Sequence, residues 1–139
     1  MTKSTNSEAN IAKGSCLCGQ IELTIKGELR DIIYCHCKQC RKQSGHYFAA
    51  TACDKPNLHI DGEEHLTWYQ SSQFARRGFC KHCGSALLWE HFGAEHISIL
   101  AGAIDEKNIL KEDCHIYCDS KGDYFELTDD LPKYAQLVE

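Results

Sequence analysis

The chain has 139 residues, enough for one domain, and its formal charge of −5 excludes a broad phosphate-binding surface and argues against nucleic acid as a partner. No apolar run approaches the length of a membrane span, and the first residues lack the apolar core of a secretory signal, so the expected setting is cytoplasmic, with no membrane partner. In such a reducing compartment ten cysteines point to metal ahead of disulfides.

In chain order, residues 1–12 are polar and mixed and read as a frayed tail before one domain over 13–139. Gln20–Lys26 alternates apolar and polar side chains at the strand period of two. Gly27-Glu28 permits a turn, and Leu29–Cys35 reads as the hairpin partner of that strand, delivering Cys35, Cys37 and Cys40. Lys38–Ser44 suits a short helical turn ended by Gly45. Further strands are expected at His46–Cys53, Leu58–Ile60, His65–Tyr69, Phe74–Phe79, Ala86–Trp89 and His96–Ala101, with turn chemistry at Asp54-Lys55-Pro56-Asn57. The C-terminal stretch, from Asp119 through Tyr134, is loop-rich. Eight short strands, no long amphipathic helix and no internal repeat make this a mostly β domain of short antiparallel strands, stapled by metal.

The cysteines fall into three groups. Cys80-Lys81-His82-Cys83-Gly84 has the spacing of a zinc knuckle, in which a tight turn aims two sulfurs at one ion. Cys16-Leu17-Cys18-Gly19 is the natural second pair for a four-cysteine site, and joining the two would clamp the first hairpin onto the later strands. Cys35, Cys37 and Cys40 are then left as three. Zinc with three protein ligands keeps a fourth position for water or substrate, which separates catalytic from structural sites.

Two other partitions fit the spacing. Cys53, His46 or His82 supplies a fourth ligand to the triplet and both sites are structural, or Cys35 or Cys37 pairs with Cys80 and Cys83. Cys53, Cys114 and Cys118 read as packing residues, as do His59, His65, His91, His96 and His115. Arg41-Lys42 and Arg76-Arg77 are the adjacent basic pairs, each beside a cysteine group. Arg41, Lys42 and Arg77 are candidates to hold an anionic substrate over the metal. Seven ionised cysteines and two dications would deepen the formal charge to −8, so an anion needs such a local patch.

Three motifs, Gly14-Ser15-Cys16-Leu17-Cys18-Gly19, Cys35-His36-Cys37-Lys38-Gln39-Cys40-Arg41-Lys42-Gln43-Ser44-Gly45 and Arg77-Gly78-Phe79-Cys80-Lys81-His82-Cys83-Gly84-Ser85, in this order, resemble the glutathione-dependent formaldehyde-activating enzymes, also described as the centromere-protein-V-like domain. The likeness continues more weakly through Ala101–Asp105, His115–Tyr117 and Ser120-Lys121, and covers roughly residues 14–134. It implies a β-tent fold, shared with translationally controlled tumour proteins and B-type methionine sulfoxide reductases. It implies a structural zinc on Cys16, Cys18, Cys80 and Cys83 and a catalytic zinc on Cys35, Cys37 and Cys40, two ions per chain. The implied reaction is that of a carbon–sulfur lyase of the S-(hydroxymethyl)glutathione synthase type, whose partners are a small-molecule thiol, glutathione, and an aldehyde, formaldehyde. The chain departs from the family where Tyr124 stands in place of a frequent Trp. His46 or water would protonate the product oxygen. The alternative is a non-catalytic zinc-binding or interaction module with two structural zinc sites. The sequence leaves the oligomeric state open.

Overall fold

The structure, a computed structural model, describes residues 10–137. Short stretches of period-two alternation fold into ten strands in two sheets. The smaller sheet is antiparallel, in the order β1 (Ile11–Ser15), β2 (Glu22–Lys26), β5 (Leu58–Asp61). The larger has seven strands: β10 (Glu112–Ile116), β3 (Ile32–Cys35), β4 (Phe48–Asp54), β9 (His96–Leu100), β8 (Ala86–His91), β7 (Ala75–Cys80) and β6 (Leu66–Gln70). One α-helix is present among the described residues, α1 (Lys38–Ser44), between β3 and β4.

A mostly β domain of short strands is therefore what forms, with three differences from the expectation. Residues 1–9 of the expected tail lie outside the described residues, but Ile11 and Ala12 belong to β1. The expected hairpin of β2 with β3 does not form: β2 pairs with β1 and β5, whereas β3 pairs with β4 and β10 in the other sheet. The β10–β3 pair is parallel, inside an otherwise antiparallel sheet. The physical reason is burial: Leu23 and Ile25 of β2 are fully enclosed, which requires neighbours on both edges of the strand and a sheet across from it.

The main core joins the two sheets. Ile21, Leu23 and Ile25 pack with Cys53, Leu88, Ile97 and Ile99, all nearly inaccessible. Full burial of each large aliphatic side chain contributes about 1.5–3 kcal/mol. At Gly14 the chains approach so closely that a Cβ would lie 2.7 Å from the Ala103 carbonyl oxygen, and the Asp105 N–H donates to the Lys13 carbonyl at 2.8 Å. A second, smaller cluster lies on residues of opposite parity in the larger sheet. It consists of Phe48, Ala50 and Cys40, with Cys35, Cys37, Trp89 and Leu100 packed against it. Cys16 and Cys80 belong to the first cluster and the Cys35–Cys40 triplet to the second, so the thiols are sorted by face.

Candidate metal centres

Cys16 and Cys18 follow β1, while Cys80 ends β7 and Cys83 closes the next turn. Their four sulfurs lie within 4.8 Å of one another, with Cys16–Cys18 at 3.6 Å and Cys18–Cys80 at 3.7 Å. A tetrahedron of sulfurs at the usual zinc distance of ~2.3 Å has edges of about 3.8 Å, so the spacing fits a four-thiolate zinc site. It is far too wide for disulfides, and all ten cysteines are free. Backbone N–H groups already point at the sulfurs: Ile21 donates to Cys16 at 3.4 Å, and His82 and Cys83 donate to Cys80 at 3.3 and 3.5 Å. Ser85 sits 3.2 Å from the Cys83 sulfur, and this contact first, then its backbone, lowers that thiol to about 5. Gly84, at φ 78°, takes the left-handed conformation that ends the knuckle.

The second group is Cys35 from the end of β3, Cys37 capping α1 and Cys40 in its first turn. Cys37 is the N-cap: its sulfur accepts from the Cys40 N–H at 3.4 Å, so the thiol stands where a serine or aspartate oxygen usually does. Gly45, at φ 89°, closes the helix with its N–H on the Arg41 carbonyl at 2.8 Å. These two caps wind a short helix that gathers three thiols within 4.8 Å of one another. Hydrogen bonds with Cys35 and then Cys40, together with the Arg77 charge, push Cys37 far below the usual thiol range, while bonding to Cys37 and Cys40 pushes Cys35 far above it. Three sulfurs competing for protons in this way are ready to exchange them for a cation.

Among the described residues no further His, Cys, Asp or Glu ligand atom joins either group within that distance. Cys53 is in the core between the sheets, His82 bonds His65 at 2.8 Å, and the Nδ1 of His46 bonds the Tyr124 hydroxyl. Cys35 and Cys37 are in a different group from Cys80 and Cys83. The two clusters could hold metal ions, one with four donors and one with three.

The basic candidates separate. On β7, alternation sends Arg76 to one face, where it lies 3.8 Å from the centre of Trp68 and bonds Glu90 at 2.7 Å. Arg77 goes to the other face and is 3% exposed. Its Nη2 is 3.6 Å from the Cys40 sulfur and its guanidinium carbon 5.3 Å from the Phe48 ring. Its Nε and Nη1 are buried without hydrogen-bond partners. A guanidinium stays charged at any working pH, so a buried one against a thiol calls for negative charge on that sulfur. Arg41 donates through Nε to the Ser120 carbonyl at 2.9 Å, tying α1 to the C-terminal loop, and Lys42 is exposed.

Of four further side chains here, His36, His115 and Tyr117 lie within stretches the sequence already singled out, and Phe125 does not. Tyr117 holds a left-handed φ of 57°, and burial, then the charges of Cys35, Cys37 and Cys40, raise its hydroxyl pKa. Phe125 lies 6.1 Å from the ring of His36, itself inaccessible between two of the cysteines. Burial, then His115, lowers His36 to about 4. His115 is 1% exposed and bonds both His36 and Asp129. Its place in β10, adjacent to Cys114 and parallel to β3, depends on a pairing that no local pattern announces. Two surface hollows, lined in part by Thr24, Lys26 and His59 and by Arg30, Ala52 and His96, contain neither cluster. No helix among the described residues is long and apolar enough to cross a membrane.

Comparison with known proteins fits this geometry. The family model described as glutathione-dependent formaldehyde-activating enzyme matches residues 11–120. Over 80 residues the chain is 38% identical to an uncharacterized lyase of Schizosaccharomyces pombe; the match covers 57% of each, so the chain spans little more than half the length of that curated relative. It is also similar to a Rhodobacter sphaeroides protein of known crystal structure, with a TM-score of 0.59 and 27% identity, over 69% of this chain and 90% of that one.

Proposed function

The chain belongs to the glutathione-dependent formaldehyde-activating enzyme family, and on that premise we propose that it is a zinc-dependent carbon–sulfur lyase of the S-(hydroxymethyl)glutathione synthase type, adding glutathione to formaldehyde or a related small aldehyde. The observation that carries the reading is the inequality of the two clusters: four sulfurs in one, three in the other, with no fourth donor among the described residues. Cys16, Cys18, Cys80 and Cys83 hold a structural zinc, and Cys35, Cys37 and Cys40 hold a catalytic one. A zinc ion held by these three cysteines would leave room for a substrate thiol and would supply the positive charge that eases its ionisation.

The chain's own residues do the rest. The three cysteines keep the centre electron-rich, which favours nucleophilic attack by sulfur over activation of the carbonyl. Arg77, buried against Cys40, offsets the accumulated negative charge. Lys42, exposed on α1, is placed for a carboxylate of the tripeptide, while Arg41 holds the loop at Ser120 that forms the adjoining wall. Tyr47, Phe125 and Tyr124, with His46, form an aromatic wall packed around His36, the residue between Cys35 and Cys37. His46 is the side chain of that wall able to return a proton to the product oxygen. The setting is cytoplasmic.

The test is exchange NMR of glutathione with formaldehyde. Adduct formation runs faster with zinc-loaded protein than without, and protein purified without added metal carries two zinc ions per chain by elemental analysis. Equal rates with and without protein remove the enzymatic reading.

A further inference from the structure

Four strands end the two sheets, β1 and β5 in the smaller one and β10 and β6 in the larger. An edge strand presents unpaired backbone N–H and carbonyl groups, and soluble proteins cover it, shorten it or charge it. β10, β1 and β5 follow that rule. β10 is covered by the C-terminal segment, with the His115 N–H on the Pro132 carbonyl and the Tyr134 N–H on the His115 carbonyl, each at 2.9 Å. β1 is covered by residues 104–105: Gly14 bridges Ile104, and the Asp105 N–H donates to the Lys13 carbonyl. β5 is short and carries His59 and Asp61, which pair at 3.1 Å.

β6 is the exception. Leu66-Thr67-Trp68-Tyr69-Gln70 has no charge, no proline and no glycine, and no backbone bond to another strand crosses its free edge among the described residues. The direction of its backbone groups follows from the bonds at its ends. The Lys81 N–H donates to the His65 carbonyl at 2.9 Å and the Ser71 N–H to the Ala75 carbonyl at 3.1 Å, so in the β6–β7 register the odd-numbered residues bond β7. Leu66, Trp68 and Gln70 therefore turn their N–H and carbonyl groups outward. The Glu63 carbonyl takes the Leu66 N–H, and the Trp68 and Gln70 N–H groups have no backbone partner among the described residues. The side chains leave the edge clear. The Trp68 ring lies back over β7, so near Gly78 that a Cβ there would lie 3.1 Å from it, and Arg76 lies over the ring. Tyr69, on the opposite face, is 64% exposed.

We propose that β6 is the seam of a homodimer: a second copy of the chain pairs β6 to β6, antiparallel about a two-fold axis at Trp68, and the larger sheets join into one. In this register the two Trp68 backbones exchange both their bonds, and each Gln70 N–H donates to the Leu66 carbonyl across the seam, so both open donors are filled. Charge selects the arrangement. Glu63 and Glu64, exposed just before β6, fall opposite the uncharged Gln73 and Ser72 of the second copy, whereas parallel pairing would set the glutamates against themselves. Thr67 faces Tyr69 across the seam as a non-hydrogen-bonded pair, the closer of the two kinds. The strand is thus its own complement, which is what a two-fold interface requires.

The experiment is sedimentation equilibrium of the 139-residue chain at low salt, with two double variants that differ only in the sign of one charge. Thr67→Lys/Tyr69→Lys sets like charges opposite each other across the seam, and Thr67→Lys/Tyr69→Glu sets opposite charges there. The parent should sediment with the mass of two chains. The like-charged variant should have a dimer dissociation constant about tenfold or more above that of the oppositely charged one. Both variants lose the same two side chains, so that loss cancels in the comparison. A parent that stays monomeric at every concentration overturns the proposal, and so do equal dissociation constants for the two variants. Amide hydrogen exchange of the parent needs no variant: the Trp68 and Gln70 N–H groups should exchange more slowly as the protein concentration rises. Exchange at these two amides that ignores concentration overturns the proposal and leaves the edge to a strand of another protein.

Discussion

The two cysteine clusters are built by opposite means. The four-sulfur cluster joins Cys16 and Cys18 to a knuckle more than sixty residues away, and it lies at the edge of the core where the sheets meet, with Cys16 and Cys80 buried and Cys18 exposed. The three-sulfur cluster comes from six consecutive residues, wound by one helix cap on the other face of the larger sheet. A site of distant ligands holds the architecture together, because losing it separates the parts it joins. A site of local ligands can change its occupancy while the fold persists. On the proposed function, the division of labour between stability and chemistry follows from chain distance.

The strongest break of this contrast is Cys80→Ser set against Cys37→Ser. Structural zinc contributes about 10–16 kcal/mol of apparent binding energy, while a domain's whole stability is about 5–15 kcal/mol. Cys80→Ser should therefore yield insoluble or unfolded protein by circular dichroism. Cys37→Ser should stay folded, carry one zinc ion in place of two, and return adduct formation to the uncatalysed rate. Equal destabilisation by both changes would erase the distinction.

A smaller effect separates the clusters by charge. Arg77→Met removes a buried guanidinium that contacts Cys40 of the triplet and no sulfur of the other cluster, so it should weaken zinc at that site about 10–100-fold in chelator competition and leave the other ion unmoved. The smallest effect is at Gly122, where a Cβ would lie 2.3 Å from the Tyr124 ring. Tyr124 is 63% exposed and can swing outward, so Gly122→Ala should cost less than about 1 kcal/mol in thermal melts. It should raise the KM for the thiol with kcat held, since it disturbs the wall and not the cysteines.

What was legible in the sequence was whatever is local. The triplet, the knuckle and α1 are each specified within a few residues: Gly45 marks the end of the helix, and the spacing of the cysteines brings their sulfurs together. β1 was invisible for a physical reason. Its inward positions are Ala12 and Gly14, the second without a side chain because the Ala103 carbonyl presses against it, and the apolar Ile11 faces out, so there is no hydrophobic alternation to detect. β10 is hidden the same way, since Glu112, Asp113 and His115 look like a loop until β3 lies beside them. Gly27, at φ 79°, does turn the chain, but its N–H bonds to Asn10, and the strand after it joins the other sheet. Asp129 follows from no pattern at all. It reaches His115 across a 14-residue loop that only the tertiary fold closes.

The span between Cys18 and Cys80 also sets an order of events. Their sulfurs, 62 positions apart, meet only after most of the chain exists and the two sheets have docked, and closure over such a loop is slow. Until then a Cys-x-Cys and a Cys-x-x-Cys stand exposed on an emerging chain, able to bind the wrong cation or oxidise. The triplet, complete once residue 40 has emerged, can take its ion early and locally. If the clusters take zinc as proposed, the newly made protein in zinc-poor cells is therefore at risk at its four-sulfur seam before its three-sulfur site, and the supply of zinc during synthesis governs the yield of folded molecules more than their specific activity.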